Sequence, residues 1–201
     1  MELNEQVGRR LRQLREERDL SLSALARRSG TGKGTLSELE AGRRNPTLET
    51  LYALTTALGV PLSALLTPGA ERTGISGAAV TAVLTERFED AAAVTDVFRI
   101  RIRAGGRQES AAHIPGTEEH LLVLGGTAMV GDPTRPQTAG PGGHAHWPAD
   151  VPHLYSAPHG EVAAVLFVRY PLRPPSEQGS GAGSGPGSAP ESGARSGADR
   201  G

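Results

Sequence analysis

Apolar positions recur at helical spacing over the first third of the chain and alternate in much of the remainder. Leu3, Val7, Leu11 and Leu14 fall at steps of four, four and three, which places them on one stripe of a first helix. Ser21 predicts the cap of a second helix over residues 22–28, with Leu22, Leu25 and Ala26 facing inward. Ser29, Gly30, Thr31 and Gly32 predict a sharp turn, because glycine takes up left-handed backbone without steric cost. A third helix is expected over Lys33 to Glu40, with Gly42 as its stop. After Asn45, Pro46 and Thr47, a fourth helix carries Leu48, Leu51, Leu54 and Leu58 inward and closes at Gly59. Pro61 then opens a short fifth helix through Leu65.

Residues 67–79, rich in Gly, Ala and Thr, are expected to be a linker. Beyond it the period changes to two. From Phe98 to Arg103, apolar and basic residues strictly alternate, as on a strand with one buried face. Strand-like runs also cover Val80 to Leu84, Leu121 to Leu124, Ala128 to Val130 and Val162 to Val168, with Gly and Pro clusters between them. The pattern predicts an all-β barrel or sandwich over residues 80–172. From Arg173 onward Gly, Ser, Ala and Pro dominate, a composition that buries too little apolar surface to offset ordering entropy, so residues 173–201 are expected to be a disordered tail. The fold class expected is α + β in two domains, with residues 1–66 as the helical one.

Charge sharpens this division slightly. Over residues 1–66 ten Lys+Arg meet eight Asp+Glu, whereas over residues 67–172 eight meet eleven. The sign favours nucleic acid as a partner of the helical half. The absence of cysteine excludes disulfides and thiolate metal sites. No run of residues is apolar and long enough to span a bilayer, and the N-terminus lacks an apolar signal core, so a soluble, cytoplasmic protein without membrane association is expected.

The segment VGRRLRQLREERDLSLSALARRSGTGKGTLSELEAGRRNPTLETLYALTTALGV, from Val7 to Val60, resembles the phage-repressor-like (XRE) helix-turn-helix family. Its marks are the paired Leu25 and Ala26, the run LSELEAG over residues 36–42, Asn45 with Pro46, and ALGV over residues 57–60. The resemblance implies a transcriptional regulator that binds double-stranded DNA with its third helix in the major groove. Leu36 and Leu39 face inward on that helix, so Lys33, Gly34, Ser37 and Glu38 face outward, with Thr35 on the flank. Lys33 can donate to guanine or to a phosphate, and Glu38 can accept from cytosine or remain a helix-paired carboxylate. By resemblance, Arg43 and Arg44 contact phosphates, and Arg15 pairs with Glu40 inside the domain. Two departures stand out: Leu22 replaces a glutamine common in the family, and Gly32 replaces a capping Ser or Thr.

All six histidines lie beyond residue 112. The spacing of His113, Pro115, Glu119 and Gly126, and then of Gly142, Pro148, Asp150 and His153, resembles the two motifs of the cupin family, which implies a jelly-roll barrel over about residues 80–170. In that family two histidines and a glutamate of the first motif and a histidine of the second bind a metal. This chain retains His113, Glu119 and His153, with Pro115 in the place of the second histidine, Asp150 in that of a glycine and Ala157 in that of an asparagine. Two imidazoles and one carboxylate suffice for one divalent ion (Zn, Fe, Mn or Ni). The alternatives are a barrel that holds an organic effector without metal and, behind it, a barrel that is only structural or dimerising. His144 and His146 share a strand face opposite Ala145 and Trp147 and are expected to be exposed, with His120 also outside the site. Arg99, Arg101 and Arg103 form either an anion-binding stripe or a solvated face. The reading is a homodimeric regulator that is not an enzyme and answers to a small-molecule or metal effector. A cupin oxygenase or isomerase fused to a DNA-binding module is the alternative.

Overall fold

Ser21 caps its helix as expected, and Thr47 is found to cap the fourth. In the computed structural model, which describes residues 3–66 and 74–172, Ser21 accepts from the Ala24 amide at 3.1 Å and Thr47 from the Thr50 amide at 3.2 Å. The helices are α1 (Leu3–Glu16), α2 (Leu22–Ser29), α3 (Lys33–Glu40) and α4 (Leu48–Leu58). The predicted fifth helix is instead a single 3-10 turn, Leu62–Leu65. Its hydrogen bonds run from Ala64 to Pro61 and from Leu66 to Ser63, the three-residue spacing to which so short a segment is limited. At the end of α3, Gly42 takes φ +69°, and the Arg43 and Gly42 amides bond back to Glu38 and Leu39, which closes the helix in a Schellman motif.

Helices α1 and α3 pack without room for a side chain at Gly8. A Cβ there would stand 2.3 Å from the Leu39 carbonyl oxygen, a backbone atom that has no rotamer to escape into. Gly8→Ala should gain about 1 kcal/mol of helix propensity but lose about 1–3 kcal/mol or more by overpacking. The expected result is a lower urea midpoint, and an unchanged or raised midpoint would contradict this packing.

The β part has ten strands among the described residues: β1 (Gly74–Ser76), β2 (Val80–Glu89), β3 (Ala93–Ile102), β4 (Arg107–Ser110), β5 (Glu118–Gly125), β6 (Ala128–Gly131), β7 (Gln137–Ala139), β8 (His144–Pro148), β9 (His153–Ser156) and β10 (Val162–Pro171). They form a six-stranded sheet ordered β1-β2-β3-β10-β5-β8 and a four-stranded sheet ordered β4-β9-β6-β7, with antiparallel pairing throughout. The alternation in β3 is realised: Phe98, Ile100 and Ile102 are buried and Arg99 and Arg101 exposed. Arg101 pairs with Glu161 and Arg103 reaches the Ala78 carbonyl, so this stripe is a solvated face with local partners. Part of the expected linker is structured, because Gly74–Ser76 pairs with β2 through a turn in which the Gly77 amide bonds Val80. The remainder of that linker, residues 67–73, lies outside the described residues, as does the tail 173–201.

The helices share one apolar core with the β part, in which Leu62 and Leu65 are fully or almost fully buried. Polar bonds cross the seam as well. The Ser63 amide donates to Asp96 at 3.1 Å, Arg87 donates to the Ser63 hydroxyl at 2.9 Å, and the Ala78 amide donates to Glu49 at 2.8 Å. Burial pushes the Asp96 carboxyl up, against the opposing pull of Ser63 and Arg87. No helix among the described residues is long and apolar enough to cross a membrane.

Candidate functional site

Two groups of side chains carry chemistry. The first is the outer side of α3. Leu36 and Leu39 point into the core, 0% and 3% exposed, and this fixes which side of the helix is left outside. Lys33, Gly34, Ser37, Glu38, Arg43 and Arg44 are exposed and Thr35 is half-buried, so all seven predicted contact residues are at least partly accessible. Glu38 and Arg44 form an ion pair at 3.2 Å with both side chains at least half exposed, a contact worth little in water and easily exchanged for another partner. Leu22 packs against the core edge, which accounts for an apolar residue where the family often has glutamine. Gly32 offers no side-chain cap to α3.

Arg15 holds α3 to α1. Its Nε and Nη2 donate to the two Glu40 carboxylate oxygens at 2.7 and 2.8 Å, and its Nη1 donates to the Leu20 carbonyl at 2.9 Å. The paired side chains are 12% and 8% exposed, so this is the partly buried bidentate clamp that the helix-turn-helix resemblance implies.

The second group is inside the β part. His113 lies in the loop before β5, Glu119 on the inner face of β5 and His153 at the start of β9, and all three are buried. His113 Nε2 is 3.0 Å from Glu119 Oε1, and His153 Nε2 is 3.4 Å from Glu119 Oε2, which also accepts from the Tyr155 hydroxyl. Burial alone would raise the Glu119 carboxyl, but His153, His113 and Tyr155 outweigh it and hold it below the usual carboxylate range. The Tyr155 phenol is pushed up by burial and by Glu119, so it stays a donor. His153 Nδ1 lies 2.9 Å from the Val151 carbonyl, which can only accept. The Nδ1 proton is thereby fixed, and Nε2 faces Glu119 without a hydrogen-bond partner. A buried ring nitrogen facing a carboxylate is a place for a shared proton or a metal ion, and the set of two imidazoles and one carboxylate suits a divalent ion.

Two of the three departures from the cupin pattern, Pro115 and Asp150, are neighbours. Asp150 accepts from the Gly116 amide at 2.8 Å and so braces the turn that follows Pro115. Pro115 supplies no ligand, leaving three protein donors in the cluster. What covers them carries no mark in the residue pattern. Tyr52, which reads as an ordinary core position of α4, lies with its ring centroid 4.2 Å from that of His113. Beside His153 a cleft of about 400 Å³ opens to solvent, lined in part by Asp132, Arg135, Gln137 and Trp147. His144, His146 and His120 lie on the outer face, away from this cluster, while Ala145 and Trp147 are buried as expected.

Residues 11–65 match the helix-turn-helix family model HTH_3. The chain is 32% identical over 148 residues to the HTH-type transcriptional regulator SutR of Escherichia coli K12, a match covering 72% of this chain and 83% of SutR. It is 46% identical over 68 residues to the HTH-type regulator y4dJ of Sinorhizobium fredii, covering 34% and 88% of the two chains. The crystal structure of an HTH_3-family transcriptional regulator from Vibrio cholerae superposes with a TM-score of 0.75 at 26% identity, covering 84% of this chain and 97% of that one. Helix-turn-helix and double-sheet domain together therefore define the class, a DNA-binding transcriptional regulator with a C-terminal β domain. The chain belongs to the XRE-type helix-turn-helix transcriptional regulators.

Proposed function

We propose that the outer side of α3 reads operator DNA and that the His113, Glu119 and His153 cluster, within a cupin barrel closed by the two sheets, is the effector site that sets operator affinity. The contact of Tyr52 with His113 carries this reading. Tyr52 belongs to α4, which packs on the recognition unit, and His113 belongs to the cluster. A change in the His113 ring position is therefore felt directly in the helical domain. A divalent ion would be held by His113, Glu119 and His153, and its charge would restrain the His113 ring. In its absence Glu119 keeps its contacts with Tyr155, His113 and His153. Coupling requires that the two states differ in operator affinity, a difference that spans about 5–150-fold in typical allosteric proteins.

Operator fragments selected from genomic DNA provide the test, with affinity read by fluorescence anisotropy with and without Zn²⁺ or Fe²⁺. The expected result is a metal-dependent shift for the wild type that His153→Ala abolishes and Tyr52→Leu blunts. Equal affinities in every case would overturn the effector role of the cluster. The cleft beside His153, with Arg135 and Gln137 on its wall, also suits a small anionic or polar effector. Steady-state turnover of any such molecule by the metal-loaded protein would favour the oxygenase alternative instead.

At the DNA, Lys33 is the one residue within α3 itself with a long cationic side chain. Lys33→Ala should weaken operator binding by about 1–3 kcal/mol if it reads a base. The same loss on unrelated duplexes, with a shallower salt dependence, would make it a phosphate contact. We further infer a homodimer, whose paired α3 helices would span half-sites about 34 Å apart.

A further inference from the structure

Strand β5 carries chemistry on both faces. Glu119 points inward, so Glu118 and His120 point outward by the two-residue alternation of a strand. Pairing of β5 with β8 sets His120 opposite His146 and Leu122 opposite His144, which brings the outward histidines of β8 alongside His120. His120 Nδ1 is 3.3 Å from His144 Nε2, and the His120 ring also stacks on that of His146 at a centroid distance of 4.4 Å. His146 Nε2 is 3.9 Å from Glu118 Oε1, and donor atoms of Glu118, His120 and His146 all lie within 4.8 Å of one another.

We infer that Glu118, His120, His144 and His146 form a second, solvent-facing site for a late first-row divalent cation, with Zn²⁺ as the natural probe. Two nitrogens bound at the Zn–N distance of about 2.0–2.1 Å in tetrahedral geometry lie about 3.3 Å apart. That is the spacing already set between His120 and His144. Imidazole-rich sites favour Zn²⁺, Cu²⁺ and Ni²⁺ over Mg²⁺ and Ca²⁺. Arg169, paired with Glu118 across β10 and β5, is the nearby cation that opposes binding. The four donors are on the opposite face of the sheet from the buried cluster, so the site is independent of the effector reading.

Untagged full-length protein dialysed against Zn²⁺ alone and analysed for metal provides the test. The His120→Ala/His146→Ala double variant should bind one equivalent fewer than the wild type while unfolding at the same temperature in metal-free buffer, and His153→Ala should keep that equivalent. In the wild type itself, Zn²⁺ should shift the imidazole proton signals of His120, His144 and His146, a readout that needs no variant to fold. Equal stoichiometry in wild type and double variant, or unmoved signals for the three rings, would overturn the proposal.

Discussion

Replacing Glu119 with alanine should cost about 3–5 kcal/mol of stability at neutral pH, the range seen when one partner of a buried charged cluster is removed. The side chain is fully buried and serves three neighbours at once. Its loss strands the Tyr155 hydroxyl and His113 Nε2 in an interior with little access to water, and each stranded group carries its own desolvation penalty. Glu119→Gln, which keeps the shape, should cost less and separates packing from charge. The pH dependence differs too. Because the folded-state pKa of Glu119 is depressed, it contributes stability above the ordinary carboxylate value of about 4.3. That stability is lost as pH falls through the folded-state value. Urea denaturation across the acid range should therefore show a steeper loss for the wild type than for Glu119→Gln. Coincident curves, together with an unaltered midpoint for Glu119→Ala, would remove this carboxylate from the stabilising core.

Arg15→Ala should be the next most damaging change, at about 2–4 kcal/mol. The figure sits somewhat below that for a fully buried pair, because both side chains keep a sliver of solvent contact. The substitution leaves the Glu40 carboxylate and the Leu20 carbonyl short of donors and frees α3 from α1. On the proposed reading Arg15 serves DNA binding by holding α3 in place, so its loss should weaken all duplexes alike rather than relax the choice among them. The apolar pair Arg15→Met/Glu40→Leu should recover most of the stability, since swapping both charges leaves neither unpaired. Failure of the double replacement to recover would show that the clamp is worth more than its charge balance.

The helical half was legible because its information is local. Ser21, Thr47, Gly42 and the leucine stripes act over three or four residues, and the elements follow them with one exception at Leu62–Leu65. Motif spacing likewise brought out His113, Glu119 and His153, which the fold gathers from three separate stretches of the chain. Alternation around Trp147 correctly turned His144 and His146 outward. It held no information on which strand would lie beside them, so their approach to His120 was invisible. Gly74–Ser76 was hidden in a linker-like composition because only pairing with β2 makes it a strand.

The amino-acid order by itself determined a helix-turn-helix with a free outer side on its third helix, a β domain after it, and three metal-competent residues spread over two motifs. Tertiary structure alone decided that Tyr52 would rest on His113, that Ser63 would bond Asp96 across the seam, and that β5 would carry donors on both faces. The division follows from range. Backbone propensity and periodicity act between near neighbours, whereas strand partners and domain seams are selected by the burial of a whole core, which no short window of residues encodes.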